Sequence, residues 1–194
     1  MTKEQFNLAG WLSITSALFT IPSIVMVWLL ESMEGSGAKV SQAILTLVDL
    51  GLFLYVISSL KKLLNSRFRF HDVDIYISLL MWGNAILCVL SIISLGSIRL
   101  EFVFRYLSMI ALIIFGILSI MFATRLLRLS GNLYGLLKAF CYAQIVCGIC
   151  FITVLLFPVG VIAGAVADVI LGIIFFRAAE QPPSTFEILS TPIE

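Results

Sequence analysis

The stretch from Ala139 to Phe176, AFCYAQIVCGICFITVLLFPVGVIAGAVADVILGIIFF, decides the fold of this protein, and its one charged residue is Asp168. As a single helix it would rise about 57 Å at 1.5 Å per residue, too far for one crossing of a hydrocarbon core about 30 Å thick. Pro158, Val159 and Gly160 lie near its midpoint and favour a tight turn. The stretch therefore predicts two membrane-spanning helices joined by a very short loop at these three residues.

The remainder of the chain has the same character. Of its 194 residues, 61% are hydrophobic and 12% are charged, against about 45–50% apolar and about 25% charged in soluble domains. Apolar segments long enough to cross a bilayer lie near 8–30, 40–60, 75–95, 102–123, 136–157 and 160–176. We predict an all-α polytopic membrane helical bundle of about six transmembrane helices with short loops. Residues 1–180 form a single transmembrane domain in this interpretation, and residues 181–194 form a mobile cytoplasmic tail.

Basic residues indicate the orientation of the bundle. With six crossings, both termini and two loops share one side of the membrane, and nine of the twelve Lys and Arg residues would lie there: Lys3, Lys61, Lys62, Arg67, Arg69, Arg125, Arg128, Lys138 and Arg177. Because basic residues are enriched on the cytoplasmic side, we expect both termini in the cytoplasm and the protein in the cell (inner) membrane.

Several classes of function are disfavoured by composition. The net charge is +1, which gives no basic surface for nucleic acid, so we expect no nucleic-acid partner. His71 is the single histidine, which excludes a haem held by two histidines and a multi-histidine metal site. We expect no cofactor, no metal and no catalytic residue. The expected partners are membrane lipids and another membrane protein or a second copy of this chain.

Two carboxylates lie about halfway along apolar segments, Asp49 in the second and Asp168 in the sixth. A carboxylate at the centre of a bilayer costs about 2.5–3.5 kcal/mol, so it needs a partner or a function. One hypothesis is a proton or cation relay. The other is structural, a polar contact between helices in which each carboxyl group finds a hydroxyl, an amide or Arg105.

Three further polar residues complete the candidate intramembrane site. Arg105 lies about one turn inside the fourth segment, where its guanidinium either extends to the headgroups or forms an ion pair with Asp49 or Asp168. Asn84 and Gln144 are expected to form hydrogen bonds between helices.

Small residues recur every four positions in the sixth segment, at Gly160, Gly164 and Gly172, with Asp168 in the same series. Such spacing places them on one face of a helix and permits close approach of a neighbouring backbone. We therefore predict a helix-packing stripe that presses Asp168 against another helix.

Two other local patterns point to chemistry. Cys147 and Cys150 form a C-x-x-C within the fifth segment, which in a redox enzyme allows a reversible disulfide. Arg67 and Arg69 alternate with aromatic residues beside the membrane, which is typical of contact with anionic headgroups.

The favoured interpretation is a non-enzymatic membrane protein of interaction type, which could be an accessory subunit, an assembly factor or a scaffold. It depends on the predicted packing stripe, the absence of a soluble domain and the small number of polar residues available to line a pore. The alternative is a small transporter or channel, proton-coupled through Asp49 and Asp168. A third hypothesis is a membrane thiol oxidoreductase that uses Cys147 and Cys150.

Overall fold

The computed structural model describes residues 2–33, 35–95, 98–129 and 133–180, which form six α-helices and, within these ranges, no strand. The helices are α1 (Lys3–Glu31), α2 (Ser36–Arg67), α3 (Asp74–Ser94), α4 (Ile98–Leu126), α5 (Leu137–Thr153) and α6 (Phe157–Glu180), with a short 3-10 turn at Leu133–Gly135. The tail predicted at 181–194 lies outside the described residues.

Five of these helices are long and apolar enough to cross a membrane, and α5 is a shorter apolar helix of 17 residues. Helices satisfy their own backbone hydrogen bonds, which is what a chain in hydrocarbon requires. The prediction of an all-α membrane bundle is confirmed, and the chain is an integral membrane protein by the length and composition of its helices.

The turn between the last two helices does not lie where the sequence analysis placed it. The chain leaves α5 after Thr153, turns at 154–156 with Val154 at φ 55°, and enters α6 at Phe157. Pro158 therefore occupies the first turn of α6, where a residue without an N–H breaks no helical hydrogen bond. The expectation of a turn at Pro158, Val159 and Gly160 was wrong because proline is as compatible with the start of a helix as with a loop.

The six helices form a ring in chain order. Each helix packs against its neighbours in sequence, and α6 closes the ring by packing extensively along α1. The helix packing is closest between α6 and α1, α4 and α5, and α5 and α6, while α2 and α3 pack more loosely. A ring with this order leaves one face of every helix directed toward a shared interior.

One end of the ring holds the hydrophobic core and most of the basic residues, and we refer to it as the basic end. There α1 begins, α2 and α6 end, and the 3-10 turn joins them through Tyr134. Arg67 donates a hydrogen bond to the Tyr134 hydroxyl (2.9 Å) and lies over the Phe6 ring, while Arg177 donates to the Tyr134 carbonyl oxygen. Asn65 at the end of α2 donates to the Asp74 carboxylate at the start of α3.

Glycines set the closest helix crossings. A methyl group added at Gly116 of α4 would lie 2.7 Å from the Gly148 carbonyl oxygen of α5, and one added at Gly148 would lie 2.6 Å from the Gly116 oxygen. Between α6 and α1, a methyl group at Gly172 would lie 3.1 Å from the Gly10 oxygen. At both crossings the two backbones touch, an arrangement that small residues permit in membrane helices.

Candidate functional site

A cavity of about 370 Å³ lies in the interior of the ring, and every helix contributes to its lining. We refer to it as the central cavity. Its polar lining comes from five of the six helices: Ser16, Asn84, Ser108, Ser119, Gln144 and Asp168. Its volume is within the range of about 300–1,000 Å³ that is typical of small-molecule sites.

Asp168 is the carboxylate of the central cavity, and two serines of α1 hold it. Ser16 Oγ donates a hydrogen bond to Asp168 Oδ2 at 3.4 Å, and Ser13 Oγ donates to the Asp168 carbonyl oxygen at 2.8 Å. The other carboxylate oxygen, Oδ1, accepts no hydrogen bond from the described residues. Within the same part of the chain no Lys, Arg or His lies within 4 Å of this carboxylate. An intramembrane carboxylate with one weak donor and no cation beside it can accept a proton or a cationic ligand.

The two amides predicted for the site both line this cavity. Ser119 Oγ of α4 donates to Gln144 Oε1 of α5 at 2.8 Å, so Gln144 forms the interhelical hydrogen bond that was predicted. Asn84 instead donates through Nδ2 to the Leu80 carbonyl oxygen of its own helix at 3.0 Å. The amide oxygen of Asn84 and the amide nitrogen of Gln144 have no hydrogen-bond partner among the described residues, which leaves one acceptor and one donor for a ligand.

Aromatic rings form much of the remaining wall, supplied by Phe53, Phe115, Phe122, Phe140 and Phe151. Two of the rings lie against glycines of a neighbouring helix. A methyl group added at Gly83 would lie 2.8 Å from the Phe115 ring, and one added at Gly160 would lie 2.8 Å from the Phe151 ring. Phe122 and Phe140 pack edge to face with centroids 6.4 Å apart. The small residues therefore fix where the rings stand around the cavity.

Asp49 and Arg105 do not line the central cavity, although they lie on the same helix faces as residues that do. Asp49 precedes Phe53 of α2 by one turn, and Arg105 precedes Ser108 of α4 by three residues. Both side chains are exposed, and neither forms an ion pair in the described part of the chain. They lie beyond the cavity, away from the basic end, so the structure does not bring Arg105 to Asp49 or Asp168.

The predicted glycine stripe of α6 contacts two different helices. Gly160 and Gly164 face α5, where they lie near Phe151 and Cys147, while Gly172 faces Gly10 and Ile14 of α1. Asp168, between them in sequence, is directed to α1 and the cavity.

The remaining predicted residues are the two cysteines of α5 and the two arginines at and just after the end of α2. Cys147 and Cys150 are buried free thiols, and Cys147 lines the cavity. Arg67 is half-buried and contacts Phe6 and Tyr134, whereas Arg69 is exposed with φ 49°. Headgroup contact by these two arginines stays a prediction.

The serines and phenylalanines of the cavity were not predicted from the sequence. In α4, Ser108, Leu112, Phe115, Ser119 and Phe122 recur at alternating steps of three and four residues, and all five line the cavity. That spacing marks one face of a helix, but in an apolar segment it does not indicate which face is directed inward.

Compared with known protein families, curated proteins and solved structures, this chain has no match.

Proposed function

We propose that this protein is a small membrane transporter that binds a monovalent organic cation, such as an alkylammonium ion, in the central cavity. The observation that carries the proposal is the meeting of Asp168 with polar side chains from four other helices in one cavity of about 370 Å³. This observation favours a transporter over an accessory subunit, assembly factor or scaffold. The few polar residues of the apolar segments are concentrated in one cavity, where they can bind a ligand.

The charge of the cavity supports a ligand with one positive charge. Asp168 supplies one carboxylate, and among the described residues the cavity lining contains no Lys, Arg or His. A bound cation would neutralise the negative charge of the Asp168 carboxylate. When the cation leaves, a proton bound to the same carboxylate would neutralise that charge. The proposal therefore includes proton-coupled exchange, in which a proton and a cation occupy Asp168 in turn.

The chemistry of the wall favours an organic cation over a metal ion. A hard metal ion such as Ca²⁺ takes six to eight oxygen ligands, whereas most of this wall is apolar and includes five aromatic rings. Ring faces attract ammonium groups by about 0.5–2 kcal/mol each, and aromatic cages bind quaternary ammonium ions on this principle.

Asp49 and Arg105 are placed to act on the route between the cavity and the end of the bundle opposite the basic end. Asp49 lies on the face of α2 that continues into Phe53, so a cation leaving the cavity in that direction would pass near its carboxylate. Arg105, further along α4, would repel every cation on that route by its charge, the ligand included, so the ligand would pass on the side of Asp49.

We further propose a cell-membrane location with both termini in the cytoplasm. The support is the charge distribution, since nine of the twelve Lys and Arg residues belong to the basic end, where α1 begins and α6 ends. A reporter fused to the carboxyl terminus tests this. Green fluorescence is expected from a GFP fusion, and activity of an alkaline phosphatase fusion would contradict it.

Binding and uptake of radiolabelled tetraethylammonium by purified protein in liposomes test the transport proposal. Asp168→Asn should weaken binding by about 10- to 100-fold, because contacts to a charged group contribute about 1.5–3 kcal/mol. Asp72→Asn is the matched control, since Asp72 is an exposed carboxylate outside the cavity, and it should bind as the wild type does. Phe140→Leu removes one ring and should weaken binding by a smaller factor.

Equal uptake by folded Asp168→Asn and wild-type protein would refute the carboxylate mechanism. A gently extracted protein that carries a stoichiometric second polypeptide and transports no cation would favour the interaction role instead.

A further inference from the structure

A second concavity, of about 830 Å³, lies on the outside of the bundle between α2 and α3 near the basic end. We refer to it as the α2–α3 groove. Its lining faces away from the central cavity: Ser58 of α2 lies on the side of the helix opposite Val56 and Leu60, which point inward. Trp82 of α3 likewise lies opposite Leu80 and Asn84, which line the central cavity. The groove is therefore open to the lipid that surrounds the bundle.

The groove changes from polar to apolar along the helix axis. Lys61 and Lys62 lie at the end nearest the loop, and Lys61 Nζ donates a hydrogen bond across the groove to Ser78 Oγ at 3.2 Å. Leu54 lies seven residues before Lys61 in α2, and Ala85 lies seven residues after Ser78 in α3. Each is therefore about 10 Å further from the polar end of the groove. This sequence of groups matches a phospholipid, with a charged headgroup and an acyl chain below it.

Within the described part of the chain, the positive charge at the polar end has no counter-ion. Among the described residues neither Lys61 nor Lys62 has a carboxylate within 4 Å. Asp74, the acidic residue of α3, lies one turn before Ser78. Its carboxylate already accepts hydrogen bonds from Asn65 and lies 3.2 Å from the His71 ring nitrogen. Two lysines and a serine hydroxyl at the end of an apolar groove would attract an anionic headgroup.

Trp82 strengthens the assignment to lipid. Its side chain lines the groove and is 71% exposed. Trp is enriched at the boundary between headgroups and acyl chains, where its ring packs on hydrocarbon while its N–H remains near polar groups. Here it lies one turn deeper than Ser78, at the height where the headgroup would give way to the acyl chain.

We propose that the α2–α3 groove is a specific site for one anionic phospholipid of the leaflet at the basic end. Lys61, Lys62 and Ser78 contact its phosphate, and an acyl chain lies along Leu54 and Trp82. The site is separate from the central cavity and does not depend on the transport proposal.

Native mass spectrometry of the purified full-length protein with added phosphatidylglycerol tests the site. One phosphatidylglycerol molecule should stay bound under conditions that remove phosphatidylcholine. Replacing Lys61 and Lys62 by Gln should weaken that binding by about 30-fold, the loss expected for two lysines at an anionic membrane surface. Arg125→Gln with Arg128→Gln is the matched control, because it removes two exposed charges at the same end and should leave the bound lipid in place.

A second variant tests the apolar half of the groove. Ala85→Phe should fill the space beside Trp82 and displace the lipid while both lysines remain. Equal loss in the arginine control would overturn the proposal in favour of general attraction to positive charge. Binding of glycerol 1-phosphate as tightly as the lipid would also overturn it, because the groove would then recognise a phosphate alone.

Discussion

Replacing Gly116 with alanine should destabilise the contact between α4 and α5. The added methyl group would lie 2.7 Å from the Gly148 carbonyl oxygen and 3.2 Å from the Ile152 backbone nitrogen. Both are backbone atoms, so the two helices must separate by several tenths of an ångström to admit it. Overpacking of this kind costs about 1–3 kcal/mol, while alanine regains about 1 kcal/mol in helix propensity over glycine. The expected net loss is about 0–2 kcal/mol.

The control for this variant is Gly51→Ala. Gly51 lies within α2, and a methyl group there would meet no atom of the described residues within 4 Å. The gain in helix propensity is common to both variants, so their difference isolates the helix contact. We expect Gly116→Ala to be less stable than Gly51→Ala by about 1–3 kcal/mol. Unfolding of each protein in mixed micelles of a mild detergent and dodecyl sulfate measures that difference. Equal stability of the two variants would refute a backbone crossing at Gly116.

Three further predictions concern the packing around the central cavity. Gly172→Ala should lower thermal stability in detergent more than Gly164→Ala, because a methyl group would lie 2.8 Å from Ile14 at the first site and 3.6 Å from the Cys147 sulfur at the second. The reverse order would contradict the assigned packing of α6. Ser119→Ala removes the hydrogen bond to Gln144 and should cost about 0.6 kcal/mol in the same micelle assay. The Cys141 thiol, which is 0% exposed and belongs to α5 outside the cavity lining, should react with a maleimide only after unfolding, and rapid labelling of the folded protein would contradict its burial.

Most of the secondary structure could be predicted from the sequence because hydrophobicity is a local property. A segment of about 20 apolar residues is long enough to cross a bilayer whatever surrounds it, and the six helices were predicted on that basis. The turn before α6 was misplaced because Pro158 is compatible both with a loop and with the first turn of a helix. Local composition could not distinguish these two positions.

The candidate site was only partly predictable. Asp49 and Asp168 look equivalent in sequence, since each is an isolated carboxylate near the middle of an apolar segment. In the structure, Asp168 lines the central cavity and accepts a hydrogen bond from Ser16, whereas Asp49 is exposed one turn beyond Phe53. Whether a carboxylate lines the cavity depends on its depth in the bundle and on the helix that packs against it. The local sequence around Asp49 or Asp168 specifies neither of these.

The sequence by itself determined that this protein is a bundle of apolar helices, and its charge pattern predicts the cytoplasmic side. Only the tertiary structure decided which faces of the helices meet. In lipid the outward and inward faces are both apolar, so periodicity does not separate them as it does in a soluble protein. Contacts such as Gly116 with Gly148 fix the rotation of each helix, and that rotation places Asn84, Gln144 and Asp168 around one cavity.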